Sequence, residues 1–366
     1  MEKSTKQKKW MIAIVGVTYI IIVAACFLKP AGEYSLSERR LLAQKPMFSW
    51  KSMVTGTYAA QMEEYVTDQF PFRDLLRACK ANFSMHIMQK KDNHDIYVKD
   101  GYLCAMEYPM DEASVERAAS IFRNIYEKHL EEKEVSVYMS VIPDKSYYLA
   151  DKTYLSMDYS AFLEKTYSCA DFLTPIRIED KLQLSDYYRT DTHWKQEEIT
   201  ETAAYIGKEM GVFLSGEYRV KTLDVPFYGV YAGQAALMTK PDEISYCSNG
   251  ILDECIVYDY ENNVEIPLYD ESKAYGRDAY EMFLGGNISL ATIENPGAVS
   301  EKELVVFGDS FSRSMVPLLA EGYRKTTLID IRYLPSAYIG NYVTFENQDV
   351  LFLYSTSVLN NSITLK

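Results

Sequence analysis

The sequence predicts an α/β fold, because short apolar runs alternate with longer charged segments of helical periodicity. Residues 135–142 are a run of β-branched and aromatic residues that follows a long charged segment. Residues 304–307 form a compact apolar run that leads directly into a predicted helix, and residues 350–354 are again largely apolar. Compact runs of this kind are typical of strands buried on both faces of a parallel sheet. We therefore expect a layered α/β core in the C-terminal part of the chain.

The composition of the 366 residues excludes disordered and collagen-like chains. Hydrophobic residues make up 48% and charged residues 25%, and there are only 17 glycines and 12 prolines, so the chain can bury a sizeable core. The length allows two or three domains, or one elaborated α/β domain with a smaller companion. The 52 acidic and 38 basic side chains give a formal charge of −14. Because nucleic-acid binding requires clustered Lys and Arg, we expect no nucleic-acid partner.

The N-terminus has the pattern of a membrane anchor. Residues 1–10 hold four lysines, and residues 11–28 carry no charge. About 17–25 apolar residues suffice for a membrane-crossing helix, and flanking lysines place their end in the cytoplasm. We expect a cytoplasmic tail over 1–10, a transmembrane signal anchor over 11–28, and an extracytoplasmic remainder from about 30 to 366. Two alternatives stay open: a cleaved secretion signal, and a lipoprotein lipidated at Cys26 within a Val-Ala-Ala-Cys cleavage box.

Residues 29–110 are expected to form an N-terminal arm of helices and extended segments. Apolar and aromatic residues at a spacing of four predict a helix over 52–66, and a second helix is predicted over 73–89. Residues 95–98 predict a short strand, which the Asp-Gly pair at 100–101 turns back in a tight hairpin.

Residues 111–366 are expected to form the α/β domain, with a β-rich insertion at about 218–268 whose pattern is strand-like and rich in turns. The other predicted elements are helices over 111–133 and from the residues after Trp194 to about 210, and strands over 135–142, 176–178, 304–307, 328–331 and 350–354.

The cysteines indicate neither a disulfide framework nor a zinc site. Five of the six lie outside the apolar run, widely scattered and without a Cys-x-x-Cys pair, whereas such frameworks and sites show regular spacings. Cys247 and Cys255 are close enough for a bridge across a hairpin, but buried free thiols are the expected state. The sequence contains no other set of metal ligands and no nucleotide-binding loop, so we expect no metal and no cofactor.

Of the four histidines, His193 has the surroundings that general-base chemistry requires. It stands two residues after Asp191 and beside Trp194, where a loop is predicted to enter a helix. A carboxylate on the second ring nitrogen holds a catalytic imidazole in one tautomer, and residues two apart on an extended segment project to the same side. The alternative is structural, with Asp191 capping the next helix and His193 packed beside Trp194.

Gly308-Asp309-Ser310 lies where an apolar run ends and a helix begins. A serine at this junction presents its hydroxyl at the C-terminal edge of the sheet, beside main-chain N–H groups that can stabilise an oxyanion. Gly308 lets the backbone turn sharply. Together with the histidine and its carboxylate, the serine completes a set of nucleophile, base and orienting group. The alternative is an Asp-Ser helix cap without chemistry.

These two segments carry a resemblance to a known family. Residues 307–310, Phe-Gly-Asp-Ser, resemble the first block of SGNH hydrolases. Residues 190–194, Thr-Asp-Thr-His-Trp, resemble the Asp-x-His-Trp signature of the DHHW family and the related alginate O-acetylation proteins, and segments 65–74, 283–287 and 329–333 also match that family. In the family, as here, the aspartate and histidine precede the serine. The first histidine of the family's Asp-His-His-Trp pattern is a threonine here, and the second histidine serves as the base.

The resemblance implies an SGNH-hydrolase-like, flavodoxin-like core with inserted β elements. It implies Ser310 as nucleophile, His193 as general base and Asp191 as its orienting group. The implied reaction is O-acetyl transfer to an extracytoplasmic polysaccharide through an acetyl-serine, with acetyl received from an integral-membrane acyltransferase partner. The alternatives are a carbohydrate acetylesterase and a non-catalytic glycan-binding or scaffold protein of the same fold.

Five further residues are candidates for completing the site. Gly285, Gly286 and Asn287 are candidates for the rest of the oxyanion hole, with a plain turn as the alternative. Arg332 is a candidate for binding a substrate carboxylate or carbonyl, with a surface ion pair as the alternative. Trp194 is expected to wedge the histidine segment in place, and an aromatic face can also stack on a sugar ring.

The charge of the exported part indicates which class of glycan is expected as the substrate. Residues 1–30 hold five lysines and one glutamate, so residues 31–366 carry a formal charge of −18. A strongly acidic body repels anionic polymers. We therefore expect a neutral or amino-bearing glycan.

Overall fold

The computed structural model describes residues 2–149 and 154–366. Its α-helices are α1 (Glu2–Leu28), α2 (Trp50–Val54), α3 (Thr57–Asp68), α4 (Arg73–Asn82), α5 (Glu112–His129), α6 (Tyr159–Cys169), α7 (Thr200–Glu209), α8 (Val230–Ala235), α9 (Glu271–Ala274), α10 (Ser312–Ala320) and α11 (Thr356–Asn360). Its strands are β1 (Tyr34–Ser35), β2 (Arg40–Leu41), β3 (Asp92–Asn93), β4 (Ile96–Lys99), β5 (Tyr102–Ala105), β6 (Ser136–Ile142), β7 (Thr174–Pro175), β8 (Arg219–Thr222), β9 (Ser245–Ser248), β10 (Ile256–Asp259), β11 (Val264–Ile266), β12 (Leu290–Glu294), β13 (Glu303–Gly308), β14 (Lys325–Ile329) and β15 (Asp349–Ser355).

The chain divides into two compact units. One consists of the residues up to Asn93 together with Gly233–Met238, and the other of His94–Ala232 together with Thr239–Lys366. The domain boundaries at residues 10, 28 and 110 stay predictions.

Helix α1 contains the apolar run of the N-terminus. Its segment Lys8–Cys26 has a mean hydropathy of 2.1 and is long and apolar enough to cross a membrane, and it is the one such helix among the described residues. Membrane anchors and signal sequences share this length and composition.

The rest of the first unit is built mainly from short helices. The predicted helix over 52–66 is two helices, α2 and α3, because Gly56 adopts a left-handed conformation with φ of 78° and separates them. The predicted helix over 73–89 is α4 followed by a π-helical segment, Phe83–Ile87. Most of the α4 surface is exposed, and Ala81 is its one buried residue.

The larger unit is built on a mixed sheet, which among the described residues has eight strands in the order β11-β10-β12-β14-β13-β15-β6-β7. Strands β14, β13, β15, β6 and β7 are parallel, whereas β10, β11 and β12 pair antiparallel. Numbered along the chain, the parallel strands have the order 2-1-5-3-4, whereas flavodoxin has 2-1-3-4-5. The predicted α/β class with inserted β elements is confirmed. The connectivity differs because the last strand, β15, lies between β6 and β13.

Alternate residues of the central strands point to opposite faces of the sheet, as the two-residue period of a strand requires. On one face, Leu304 and Val306 of β13 pack with apolar residues of α7 and α10. On the other face, Val305 and Phe307 pack with apolar residues of α5 and α6. All seven residues of β15 are buried. The core therefore has three layers, a sheet between two layers of helices.

The predicted β-rich insertion contributes to two sheets. Strands β8 and β9 pair with each other, whereas β10 and β11 extend the main sheet through β12. The sequence analysis predicts no strand at β12, because Leu-Ala-Thr-Ile-Glu is neither a continuous apolar run nor a strict alternation. The same stretch also contains the helix α8. The strand predicted over 176–178 is instead the two-residue edge strand β7, Thr174–Pro175, and the Ile176 N–H donates one further hydrogen bond to the Met139 carbonyl at 2.8 Å.

Burial raises the pKa of three of the six described thiols. Burial raises the pKa of the Cys104, Cys247 and Cys255 thiols to about 12, whereas Cys79 is exposed. Cys247 and Cys255 are free thiols, in agreement with the expectation from sequence. Because the thiolate is the nucleophile, we expect iodoacetamide at pH 8 to modify Cys79 in the native protein and the two buried thiols, Cys104 and Cys247, only after unfolding. Peptide mass mapping measures this, and a linked Cys247–Cys255 peptide without reductant would contradict it.

Candidate functional site

Ser310 lies at the C-terminal edge of the parallel strands, in the turn between β13 and α10. Two residues before Ser310, close packing requires a glycine at position 308. A Cβ at this position would lie 2.6 Å from the Ser312 hydroxyl oxygen and 3.1 Å from the Leu353 carbonyl oxygen. The absence of a side chain at Gly308 thus allows the chain to turn directly from the strand into the helix.

Asp309 holds this turn in place. Its carboxylate accepts hydrogen bonds from the Phe311 N–H at 3.0 Å, and from the Ser355 N–H and hydroxyl at 2.8 and 2.6 Å. Ser355 is the last residue of β15, so the position of β15 beside β13 supplies these donors. A carboxylate with three donors is an effective anchor, and it fixes the turn that carries Ser310.

The side chains of Ser310, His193 and Asp191 form one chain of hydrogen bonds. The His193 Nε2 lies 2.8 Å from the Ser310 Oγ, and the His193 Nδ1 lies 2.6 Å from the Asp191 Oδ1. Asp191 is fully buried, His193 is 7% exposed, and Ser310 is half-buried. With Nδ1 protonated, His193 donates to the carboxylate and its Nε2 is free to accept the serine proton. The three predicted residues thus lie together, and their catalytic roles stay predictions.

The Asp191 carboxylate is also fixed by main-chain donors. Its Oδ1 accepts from the His193 N–H at 3.1 Å, and its Oδ2 accepts from the Val230 N–H at 2.8 Å. The next α-helix, α7, begins only at Thr200 and has Ile199 at its N-cap. Asp191 therefore does not cap it, and the structural alternative considered for this aspartate is wrong.

Gly229 allows the main chain to approach Asp191. A Cβ on Gly229 would lie 2.3 Å from the N, Cα and Cβ atoms of Asp191. No flexible side chain can relieve this contact, because two of the three atoms belong to the backbone. Sequence reasoning missed this residue, since a single glycine in a loop carries no signal of a close approach 38 positions away.

Replacing Gly229 with alanine is expected to move Asp191. The predicted catalytic role of Asp191 then predicts a loss of about 100-fold in the turnover of an activated acetyl ester, because displacing a catalytic group by about 1 Å has this cost. Turnover of an activated acetyl ester and the melting temperature measure the effect. Gly250 is the matched control, since a Cβ there meets nothing within 4 Å. Gly250→Ala should retain activity, and a Gly229→Ala variant as active as Gly250→Ala would show that the loop yields freely.

Lys145 lies beneath the Asp191 loop and is also missed by sequence reasoning. Its side chain is fully buried just after β6, and its Nζ donates to the carbonyl oxygens of Tyr188 at 2.9 Å, Arg189 at 3.3 Å and Asp191 at 2.6 Å. These bonds use all three ammonium donors. Burial lowers the pKa of Lys145. The lysine therefore acts as an internal anchor for the loop that carries the aspartate.

One aromatic ring packs on the imidazole, and a second aromatic residue, Trp194, anchors the segment that carries it. The Tyr280 ring stacks on the His193 ring, with centroids 3.9 Å apart and an angle of 9° between the planes. Trp194 is fully buried and its Nε1 donates to the Phe311 carbonyl at 3.1 Å and to the Ser314 hydroxyl at 2.8 Å. Trp194 thus occupies the position expected of a residue that holds the His193 segment in place. It has no exposed face for stacking on a sugar, which corrects that part of the expectation.

The fold around this site is shared by solved structures. The chain is similar to a DHHW family protein from Eubacterium siraeum, at 20% identity and a TM-score of 0.58 over 73% of this chain and 93% of that one. The chain has the fold of that DHHW family protein. It is also similar to Bacillus cereus PatB1, solved alone and with a sulfonyl adduct, each at 18% identity and a TM-score of 0.56 over 72% of this chain and 96% or 95% of PatB1. No family model and no curated protein matches the chain.

The Gly285-Gly286 segment is a tight turn of this fold. Both glycines have positive φ values, 70° and 88°, which glycine adopts without strain. Lys273 Nζ donates to the Gly285 carbonyl, the Gly286 N–H donates to the Phe283 carbonyl at 3.1 Å, and Asn287 is exposed. The backbone conformation of a plain turn accounts for the two glycines, and a role for these residues in an oxyanion hole stays a prediction.

Arg332 pairs with an aspartate instead of pointing outward. Its Nε and Nη2 donate to the two carboxylate oxygens of Asp330 at 2.9 and 2.6 Å, and its side chain is 18% exposed. An ion pair is the alternative considered for Arg332. The observed pair is bidentate and half-buried, whereas that alternative placed it at the surface. Arg313, on the first turn of α10, is buried with its Nη2 3.9 Å from the same carboxylate, and this nitrogen has no hydrogen-bond partner among the described residues.

Among residues 2–149 and 154–366, no group of three or more His, Cys, Asp or Glu side chains is arranged to hold a metal ion.

Proposed function

We propose that this protein transfers O-acetyl groups to an extracytoplasmic polysaccharide, with Ser310 as nucleophile, His193 as general base and Asp191 as its orienting group. The observation that carries the proposal is the hydrogen-bonded chain from Ser310 Oγ through His193 to the buried Asp191. The position of Ser310 at a strand-to-helix turn supports it further, because a nucleophile there is exposed beside main-chain N–H groups.

The proposed reaction has two steps. Ser310 Oγ attacks the acetyl carbonyl while His193 Nε2 accepts the hydroxyl proton, and collapse of the tetrahedral intermediate breaks the bond to the leaving oxygen, which takes that proton. A sugar hydroxyl then attacks the acetyl-serine, His193 accepts its proton, and Ser310 Oγ is released and reprotonated. Asp191 stabilises the imidazolium in both steps.

The proposed location is outside the cytoplasmic membrane. Four lysines before the apolar run support a cytoplasmic N-terminus by the positive-inside rule, with residues from about 30 to 366 outside. Because an activated acetyl donor has to reach this side, we propose an integral-membrane acyltransferase partner that supplies acetyl. The formal charge of −18 on residues 31–366 favours a neutral or amino-bearing glycan as acceptor.

Full-length protein in detergent, incubated with p-nitrophenyl acetate, tests the nucleophile. We expect turnover and an acetyl adduct on Ser310, and a loss of about 10⁴-fold or more in Ser310→Ala. A sulfonyl fluoride is expected to label the same serine, since activated hydroxyls react with such reagents and PatB1 has been solved with a sulfonyl adduct. Ser300→Ala, in the loop before β13, is the matched control and should retain full turnover.

The products distinguish the proposed transferase from its alternatives. With chitooligosaccharides or neutral oligosaccharides present, an acetylated sugar indicates transfer, whereas free acetate alone indicates an acetylesterase. Equal turnover by Ser310→Ala and the unaltered protein would refute the enzymatic proposal and favour a glycan-binding or scaffold role.

A further inference from the structure

The first unit carries an exposed apolar stripe along α4 and the π-helical segment. We define this stripe by Phe72, Leu75, Leu76, Phe83 and Ile87, which are 74%, 54%, 51%, 55% and 66% exposed. The seven-residue spacing from Leu76 to Phe83 places Leu75, Leu76 and Phe83 on one side of α4. Phe72 is the left-handed N-cap residue of α4, and Ile87 ends the π-helical segment that continues it. Large apolar side chains gathered on one face at this level of exposure mark an interaction surface.

Ion pairs within the same unit hold the opposite side of α4. Arg73 lies 2.7 Å from the Glu38 carboxylate and 3.5 Å from that of Asp68, and Arg77 lies 3.2 Å from Glu38. These arginines are only 14% and 20% exposed. The helix is therefore fixed with its polar side inward, and the apolar stripe faces outward as a consequence of those ion pairs.

The charge around the stripe is opposite to that of the exported protein as a whole. Residues 72–91 contain five Lys and Arg side chains and one acidic side chain, Asp74. Because Arg73 and Arg77 are paired with Glu38 and Asp68, the basic charge near the stripe comes from the exposed lysines at positions 80, 90 and 91. Lys80 and Lys90 are exposed beside the stripe. Apolar residues on one helix face with lysines at its margin form the pattern of a helix that lies in the interface of an anionic lipid bilayer.

We propose that residues 72–88 bind an anionic lipid surface, with the apolar stripe inserted among the acyl chains and the flanking lysines at the headgroups. The lipid surface is the occupant favoured by charge complementarity and by the membrane-spanning length of α1, which belongs to the same unit. The inference depends on α1 being embedded in a bilayer and not on the chemistry of Ser310.

A native cysteine makes the contact measurable. Cys79 is exposed and lies on the stripe side of α4. Full-length protein with Cys26, Cys169 and Cys255 replaced by serine is labelled at Cys79 with a bimane dye and reconstituted in nanodiscs of phosphatidylcholine and phosphatidylglycerol at 3:1. Lipids brominated near the headgroup end of the acyl chain serve as the quencher.

We expect several-fold quenching at Cys79 and little at the matched control, a dye on Asp74→Cys in a Cys79→Ser background. Asp74 is 62% exposed and lies on the polar side of α4. Replacing Lys80 and Lys90 with glutamine is expected to reduce the quenching, as is replacing phosphatidylglycerol with phosphatidylcholine. Equal quenching at both positions, or none at Cys79 in a protein whose melting temperature matches that of the unlabelled protein, would overturn the proposal. Protection of Cys79 in native membranes but not in pure lipid would also overturn it, because a protein would then be the occupant.

Discussion

Replacing Asp191 with asparagine is expected to lower kcat for an activated acetyl ester about 10⁴-fold. The Asp191 carboxylate accepts a hydrogen bond from the protonated Nδ1 of His193, which lies 2.6 Å away. An amide in its place can offer an N–H to Nδ1, which moves the ring proton to Nε2 and removes the acceptor for the Ser310 hydroxyl. An amide also supplies no negative charge to stabilise the imidazolium.

Steady-state kinetics of the full-length protein measure this effect, with Asp180→Asn, an exposed aspartate in the same unit, as the control. The melting temperature shows whether the variant stays folded. We expect it to be folded, because the asparagine oxygen can still accept a hydrogen bond from the Val230 N–H. A folded Asp191→Asn variant that retains kcat within threefold of the control would refute the role assigned to Asp191.

Replacing Lys145 with methionine is expected to destabilise the protein by about 2 kcal/mol or more, because the buried carbonyl oxygens of Tyr188 and Asp191 lose their donor and each unsatisfied group costs about 1–3 kcal/mol. The Arg189 carbonyl keeps the Leu103 N–H as a donor at 2.8 Å. Methionine has a similar length and fills the cavity, so the loss reports the hydrogen bonds and not an empty space. The Asp191 loop should loosen as well, and turnover should fall together with stability.

Urea unfolding followed by intrinsic fluorescence measures the stability change, with Lys208→Met, an exposed lysine of α7, as the control. The expected result is a lower midpoint with an unchanged slope. A destabilisation no larger than that of Lys208→Met would mean that the Tyr188 and Asp191 carbonyl groups find other partners, and that Lys145 does not anchor the loop.

The residues that could be predicted share one property, which is that their signal is local. Ser310 was recognisable because an apolar run, a glycine and a helix follow one another within ten positions. Asp191 and His193 were recognisable because two residues of suitable chemistry stand two positions apart. The supporting residues have no such signal. Tyr280 stacks on a histidine 87 positions away, and Gly229 matters only because Asp191 lies against it.

The connectivity of the sheet is a second feature that no local pattern encodes. The apolar run that becomes β15 predicts a buried strand but not its neighbours. Its insertion between β6 and β13 brings Ser355 to Asp309 and so stabilises the turn that carries Ser310. The short strand β12 gave no clear period, and its place is decided by pairing with β10 and β14.

The sequence by itself determined the apolar N-terminal helix, the α/β class and the three residues of the candidate triad, because hydrophobic period and residue spacing act within a few positions of the chain. Only the tertiary structure decided that Arg332 is committed to Asp330, that Trp194 is buried and that α4 turns its apolar side outward. Each of these depends on partners that the fold brings together. A side chain's contacts are set by the order of the strands and the ion pairs around it, and these are properties of the folded chain as a whole.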